Sequence, residues 1–214
     1  MKLLTEFVGS FLFMLVIAMI APTGAPMTAL AIGAALMTMV YMGGHVSGAH
    51  YNPAVSLAIL IRGKMTATEM LQYWAAQIAG GLAAFFVGAW IVGGPVDLKP
   101  AADYSTGQAL AVEILFTTML ALTVLNVATA KKTAGNSYFG LAIAFVVVAG
   151  ALAGGGISGG AFNPAVGIGA TVVNAVQGNG DYGSVWIYLV GPFLGAAIAA
   201  FLFKLQGGES EADA

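Results

Sequence analysis

One eight-residue stretch occurs twice in this chain, and its context restricts the folds that the chain can adopt. The first copy, residues 48–55, reads GAHYNPAV, and the second, residues 159–166, reads GGAFNPAV. Asn is a preferred helix N-cap and Pro is favoured at the first helical position, so Asn52-Pro53 and Asn163-Pro164 each predict the start of a helix. The glycine-rich run before each cap is predicted to be non-helical.

The sequence around both copies is almost free of charge, which indicates a membrane. Only 7% of the 214 residues are charged and 59% are hydrophobic, whereas about a quarter of the residues of a soluble domain are charged. In a membrane, backbone that leaves the helix is tolerated only inside protein or beside a water-filled cavity. The two interruptions therefore predict a pore or a binding site. With no cysteine, the chain has no thiol chemistry, and no basic cluster suggests nucleic acid.

Six stretches are apolar and long enough to cross a bilayer, which takes about 20 helical residues. They cover residues 3–20, 27–43, 69–92, 108–128, 138–154 and 184–205. Two shorter helices, residues 52–61 and 163–174, would be about 15 Å long, half of a hydrocarbon core of about 30 Å. We predict that they are half-helices that meet at their N-termini. A signal peptide is an alternative for the first stretch, but Glu6 interrupts its apolar run and favours a retained helix.

The basic residues predict the orientation. Six of them fall on one side of the membrane if the spans alternate: Lys2, Arg62, Lys64, Lys131, Lys132 and Lys204. Lys99 alone falls on the other side. By the positive-inside rule the first side is the cytoplasm, so both termini and a polar tail, residues 207–214, are predicted to be cytoplasmic.

The two halves of the chain resemble each other. Residues 5–12 are echoed by residues 112–119, and each segment is followed at a similar distance by Asn-Pro-Ala. Each half has three spans, an odd number, so the second half must enter the membrane inverted relative to the first. We predict an all-α integral membrane protein with six transmembrane helices and two re-entrant half-helices, in one domain (1–206) with repeats at approximately 1–95 and 106–206.

These features resemble the aquaporin and glycerol-facilitator family over nearly the whole chain. The resemblance is carried by residues 45–55, Asn163-Pro164-Ala165, the pair Glu6 and Glu113, residues 72–77, and Gly191-Pro192 with Gly195. It implies a passive channel for water and small neutral solutes, without a cofactor or a metal, in the form of a homotetramer with one pore per subunit. The compact loops suggest a prokaryotic inner membrane.

The resemblance also implies roles for individual residues. Asn52 and Asn163 would donate to passing water, while the two half-helix N-termini repel cations and interrupt a proton wire. The two Asn-Pro-Ala segments, called boxes here, consist of Asn52, Pro53 and Ala54 and of Asn163, Pro164 and Ala165. Pore carbonyls are expected at Gly48, Ala49, His50, Gly159, Gly160 and Ala161. Glu6, Glu113 and His45 are expected to brace the re-entrant loops; the alternative for Glu6 is a residue at the membrane surface.

The expected outer constriction departs from the family pattern. Counting from the boxes places it at Ile32, Ala151, Gly160 and Val166, where water-selective members have an aromatic residue, a histidine, a small residue and an arginine. Without the arginine and the imidazole, we predict a wider, apolar constriction. Water permeation is the primary expectation; the alternatives are a slow pore and a wide facilitator for glycerol, urea, ammonia or hydrogen peroxide. Alternatively, Phe162 or the loop around residues 95–105 narrows the constriction. Mercury is expected to have no effect, because position 160 is glycine and no thiol exists.

Other classes of protein fit the sequence less well. An enzyme is disfavoured, because no nucleophile-base pair, metal cluster or phosphate loop is visible. An ion-coupled transporter shares inverted repeats and broken helices, but it needs titratable or ion-coordinating groups near the midplane. A non-conducting structural membrane protein, in which the boxes are relics, is the third alternative.

Overall fold

The computed structural model describes residues 1–179 and 182–207, and all regular structure within these two ranges is helical. Its α-helices are α1 (Lys2–Ile20), α2 (Thr28–Ser47), α3 (Pro53–Ile61), α4 (Ala67–Val92), α5 (Thr106–Val124), α6 (Phe139–Ser158), α7 (Pro164–Asn174) and α8 (Ile187–Leu205). Six of them are long and apolar enough to cross a membrane. With nine and eleven residues, α3 and α7 are about 14 and 16 Å long and cannot. The predicted fold class is confirmed.

The helices pack in two matching sets. Helix α1 packs against α2 and α4, and α5 packs in the same way against α6 and α8. Helix α7 contacts α4, and α3 correspondingly contacts α8, while the pairs α2–α6 and α3–α7 meet between the sets. Exchanging the two halves leaves this pattern unchanged, as an inverted repeat requires. The predicted repeat bounds, 1–95 and 106–206, remain a prediction.

Glycine lets the paired helices approach closely at equivalent places. A Cβ atom added at Gly80 of α4 would lie 2.5 Å from the main-chain oxygen of Phe7 in α1. A Cβ at Gly195 of α8 would lie 2.6 Å from the main-chain oxygen of Ile114 in α5. Small residues at such crossings give the backbone contacts that hold membrane helices together.

Ionic and aromatic contacts define one end of the bundle, called here the terminal face. The Lys2 ammonium lies 3.9 Å from a carboxylate oxygen of Glu69, which joins the starts of α1 and α4. The Arg62 guanidinium, just after α3, lies 5.2 Å from the ring centre of Phe203 near the end of α8. The opposite end, called the distal face, carries the α1–α2 and α4–α5 connections.

Two helices end later than predicted, because glycine did not stop them. Helices α2 and α6 continue to Ser47 and Ser158, past the predicted ends at residues 43 and 154. The glycine-rich runs directly before the caps, residues 48–51 and 159–162, are non-helical, as expected. Within the helices, Gly43 and Gly154 allow close packing, because a Cβ at either position would overlap or crowd a neighbouring side chain. The helices end at Gly48 and Gly159, whose φ angles are 88° and 93°.

Capping moves other helix ends by a few residues. Thr66 and Glu69 form a capping box that starts α4 at Ala67, and Ser105 and Gln108 form one that starts α5 at Thr106. Both helices therefore begin two residues earlier than predicted. Helix α8 begins at Ile187, later than the predicted residue 184. Of the predicted tail, residues 207–214, all but Gly207 lie outside the described residues.

Candidate functional site

Each Asn-Pro-Ala box caps its half-helix through a side-chain oxygen. The Oδ1 atom of Asn52 accepts from the amide of Ala54 at 2.9 Å, and that of Asn163 accepts from the amide of Ala165 at 2.9 Å. The prolines occupy the first helical positions, where no intrahelical hydrogen bond is lost. The two half-helices thus begin in the same way.

The two caps are also bonded to each other. The side-chain nitrogen Nδ2 of Asn52 donates to the main-chain oxygen of Phe162 at 2.9 Å. Nδ2 of Asn163 donates to the main-chain oxygen of Tyr51, also at 2.9 Å. Each asparagine is 4% exposed. A side-chain amide carries two N–H protons. The bond between the caps uses one of them, so each asparagine keeps one further N–H proton as a hydrogen-bond donor.

The loops before the caps share an unusual backbone conformation. In the first loop φ is 88° at Gly48, 51° at Ala49 and 48° at Tyr51. The second loop repeats this with 93°, 70° and 49° at residues 159, 160 and 162. A non-glycine residue in this region costs on the order of 1–3 kcal/mol and persists only where surrounding contacts enforce it. In these loops the enforcing contacts are hydrogen bonds to two buried carboxylates, those of Glu6 and Glu113.

The Glu6 carboxylate, which is fully buried, holds the first loop. One oxygen accepts from the Ser47 hydroxyl at 2.6 Å and from the His50 amide at 3.0 Å. The other accepts from the Tyr51 amide and from the side chain of Gln77, both at 2.8 Å. Glu6 therefore does not lie at the membrane surface, which was the alternative for it.

Glu113, also fully buried, holds the second loop in the same way. It accepts from the Ser158 hydroxyl at 2.8 Å and from the amides of Ala161 and Phe162 at 3.0 and 2.7 Å. Tyr188 donates its hydroxyl to the main-chain oxygen of Ser158. Tyr73 makes the equivalent bond to Ser47 at 2.8 Å.

The first loop has additional polar support that the second lacks. The Ser56 hydroxyl lies 3.0 Å from His50 Nδ1 and accepts from the Gln77 side chain at 3.0 Å. At the positions equivalent to His50, Ser56 and Gln77, the second half has Ala161, Gly167 and Pro192. The space beside Gly167 is filled by Tyr188, because a Cβ there would lie 2.5 Å from the Tyr188 Cβ.

His45 does not take the bracing position expected for it. Its side chain is exposed and makes no hydrogen bond within residues 1–179 and 182–207. It instead borders the central cavity toward the terminal face. Helix α2 continues through Ser47, so the hydroxyl of Ser47, two residues further on, reaches Glu6.

A cavity of about 870 Å³ passes beside both caps. Its lining runs from Pro26 and Thr28 at the distal face to Ala130 and Asn136 at the terminal face. It includes both asparagines and all six expected carbonyl residues, namely Gly48, Ala49, His50, Gly159, Gly160 and Ala161. The box residues Pro53, Ala54, Pro164 and Ala165 are buried behind this surface.

All four residues of the expected constriction line the cavity: Ile32, Ala151, Gly160 and Val166. None has a side chain that donates a hydrogen bond. The ring of Phe162 packs on that of Phe116, with centres 5.4 Å apart, and against Gly150 between α5 and α6. Packing therefore fixes the ring of Phe162, which lines the cavity, and Val96 and Leu98 of the α4–α5 connection line it as well.

Sequence reasoning missed the serine and tyrosine residues that support the loops. Ser47 and Ser158 each stand directly before the repeated stretch, five residues before a box asparagine, so this equivalent placement was a signal for them. Tyr73 and Tyr188 carry no such local signal, because they lie on α4 and α8, outside both motifs.

Comparison with known proteins gives consistent matches. The family model described as major intrinsic protein matches residues 1–203. Aquaporin NIP1-4 of Oryza sativa subsp. japonica is 35% identical over 212 residues, covering 95% of this chain and 76% of that protein. Aquaporin-8 of Notomys alexis is 35% identical over 223 residues, covering 96% and 82%.

Two further matches define the extent of the likeness. Aquaporin NIP1-1 of Zea mays is 36% identical over 183 residues, which are 84% of this chain but 62% of the maize protein, less than two thirds of its length. Among solved structures, the aquaglyceroporin from Plasmodium falciparum superposes with a TM-score of 0.83 at 21% identity, covering 94% of each chain. At that identity the likeness shows the fold.

Proposed function

Since the chain belongs to the major intrinsic protein family, whose members are multi-pass membrane channels and not enzymes, we propose that its central cavity is the path taken by water and small neutral solutes. The observation that carries the proposal is the course of the cavity. Its lining extends from the distal face to the terminal face and includes Asn52 and Asn163 on the way. A catalytic pocket or a structural core needs no such passage.

The proposed path offers both hydrogen-bond donors and hydrogen-bond acceptors near its middle. Each asparagine has one amide proton beyond the bond that joins the two caps, and this proton is available to a solute oxygen. The carbonyls of the left-handed loops supply acceptors on either side. A neutral, hydrogen-bonding molecule can thus exchange part of its hydration for these groups.

Ions are expected to be excluded by the same geometry. Each half-helix N-terminus carries roughly half a positive charge, and both point toward the cap pair. A cation therefore meets an unfavourable potential there, and no acidic side chain of the described residues lines the cavity. Glu6 and Glu113 do not line the cavity, and their oxygens are occupied by loop donors.

The apolar constriction supports a second candidate, a wide facilitator with low selectivity for water. Ala151 and Gly160 leave space, and Ile32 and Val166 offer no donor to replace the hydrogen bonds that water gives up. Glycerol, urea, ammonia and hydrogen peroxide are the solutes in question. Glycerol and urea differ enough in size from water to distinguish this candidate from a water channel.

The proposal includes a location and an assembly. We infer that the terminal face is cytoplasmic, because the Lys and Arg residues concentrate there and Lys99 alone belongs to the distal side. A homotetramer with one pore per subunit rests on the family resemblance, and mass determination in detergent tests it. A prokaryotic inner membrane remains a prediction from the compact loops.

Stopped-flow light scattering on liposomes tests the function. Vesicles with the purified protein are shrunk in sucrose and then exposed to glycerol or urea, with a pH-sensitive dye inside. We expect faster water or solute movement than in empty vesicles, without a change in internal pH. Equal rates in both vesicles would favour a structural protein, and currents driven by a solute gradient would favour a coupled transporter.

A further inference from the structure

We propose that Leu98, in the connection between α4 and α5, sets the size limit of the distal mouth. This inference rests on the proposed function, because it concerns selectivity along the same cavity. The four constriction positions provide little bulk, and Leu98 is an apolar side chain from outside the two boxes that reaches the same passage. Val96, two residues earlier, lines the cavity with it.

Leu98 lies directly against the second re-entrant loop. A Cβ atom added at Gly159 would be 2.7 Å from Cδ1 of Leu98 and 3.3 Å from the main-chain oxygen of Lys99. Gly159 immediately precedes Gly160, one of the four constriction residues. The leucine side chain therefore occupies space that a larger residue at position 159 would otherwise fill.

Two hydrogen bonds tie the connection to the bundle, and one ion pair lies within the connection. The Ala101 amide donates to the main-chain oxygen of Ile157 at 3.0 Å, near the end of α6. Asn174, the last residue of α7, donates its side-chain amide to Asp97 at 3.2 Å. Asp97 also pairs with Lys99 at 2.5 Å. The residues on both sides of Leu98 are thus tied to the bundle, whereas a loose loop would not define a diameter.

The partial burial of Leu98 agrees with this role. Val96 and Leu98 are half-buried and pack against the apolar core, while Asp97 and Lys99 between and after them are exposed. This alternation turns the apolar side chains toward the cavity and the charged ones toward solvent. Lys99, the one Lys or Arg residue of the distal side, is therefore paired with Asp97 and lies outside the cavity.

The test compares Leu98→Ala with the wild-type protein in liposomes. The ratio of glycerol to water permeability is measured by stopped flow, with erythritol as a larger probe. We expect the ratio to rise about tenfold, the order of discrimination that a missing methylene contributes in an apolar pocket. Leu98→Trp is expected to lower the permeability to every solute, and Leu98→Ile to retain the wild-type ratio.

Leu115→Ala is the matched control, because Leu115 is 65% exposed on α5 and does not line the cavity. It makes the same change in side-chain volume on the outer surface and is expected to leave the ratio unchanged. Asp97→Ala releases the loop without altering the lining and is expected to shift the ratio in the same direction as Leu98→Ala.

The outcomes separate the two proposals. If wild-type vesicles are no more permeable than empty ones, the proposed function fails. If wild-type vesicles conduct but Leu98→Ala and Leu98→Trp both keep the ratio of Leu115→Ala, the assignment of Leu98 fails and the channel remains. Should Leu98→Ala not fold, as judged by size-exclusion chromatography, the Leu98→Trp arm decides the question by itself.

Discussion

The side-chain amide of Asn52 donates to the main-chain oxygen of Phe162 over 2.9 Å, and so joins the start of one half-helix to the loop that precedes the other. We expect Asn52→Asp to weaken this junction, because a carboxylate keeps the cap to Ala54 but brings an acceptor against the Phe162 carbonyl. The stability should fall by about 1–3 kcal/mol, the cost of an unmade buried hydrogen bond. Thermal unfolding in detergent measures this.

The same substitution is expected to admit cations, since a negative charge would then lie between the two half-helix N-termini. Sodium flux into liposomes checks this part. Asn126→Asp is the control, because Asn126 also donates to a main-chain oxygen, that of Leu122, but does not line the cavity. If both variants leak equally, the charge at the caps is not the cause.

The two loop-bracing glutamates should differ in their tolerance of amidation. In Glu113→Gln the new NH₂ group faces N–H and O–H donors and leaves at least one of them unpaired, at a cost of about 1–3 kcal/mol. In Glu6→Gln one loop amide likewise loses its acceptor, but the new NH₂ group can donate to Oε1 of Gln77, a buried atom without a partner among the described residues, once the Gln77 side-chain amide turns over. We therefore expect Glu113→Gln to lower the melting temperature more than Glu6→Gln does.

Asp103→Asn, an exposed position, controls for the loss of a negative charge and should change the melting temperature little. An equal loss in both glutamate variants would show that Gln77 offers no compensation.

Glycine-to-alanine substitutions should have opposite effects at two helical positions. A Cβ at Gly9 in α1 would overlap the ring of Tyr51, whereas a Cβ at Gly156 in α6 meets nothing within 4 Å. We expect Gly9→Ala to destabilise by about 1–3 kcal/mol through overpacking, and Gly156→Ala to stabilise by roughly 0.5–1 kcal/mol through reduced backbone entropy. Melting temperatures of the pair measure both, and the same sign for both would refute the packing assignment.

Local chemistry explains why much of the fold was predictable. Asn52-Pro53 and Asn163-Pro164 are read from neighbouring residues alone, and α3 and α7 begin where the sequence places them. The spans were equally clear, because apolar length decides membrane crossing. Helix ends were less clear: the glycines at 44, 155 and 156 look like breaks, but α2 and α6 continue through them to Ser47 and Ser158.

The site was less predictable, because its contacts join distant segments. The bond between Asn52 and Phe162 spans 110 positions, and no local pattern specifies it. The approach of Leu98 to Gly159 likewise depends on how a loop folds over the bundle. His45 misled for a related reason: it neighbours the motif, but the helical direction of α2 turns it to the cavity border.

An arginine at the constriction should restore selectivity for water. Val166 lines the cavity together with the small residues Ala151 and Gly160, so Val166→Arg introduces a long, charged donor at the cavity wall. We expect glycerol and urea permeability to fall strongly relative to water, because the passage narrows and gains the donor that the apolar constriction lacks. Stopped flow with the three solutes measures the change.

Val166→Leu is the control for size without charge. It should reduce glycerol entry less than Val166→Arg and should not favour water. Unchanged glycerol and urea rates in the arginine variant would mean that these solutes pass elsewhere.

Mercury, applied to a chain without thiols, tests directly whether solutes pass through this cavity. Wild-type permeability is predicted to be unaffected, since the sequence has no cysteine. Ala151→Cys places one thiol on the cavity lining, and Ala197→Cys places one on an exposed position of α8 away from it. We expect mercury to block Ala151→Cys alone, with reversal by added thiol. Thiol-reversible block of the wild-type protein, or full permeability of mercury-treated Ala151→Cys, would show that solutes do not pass through this cavity.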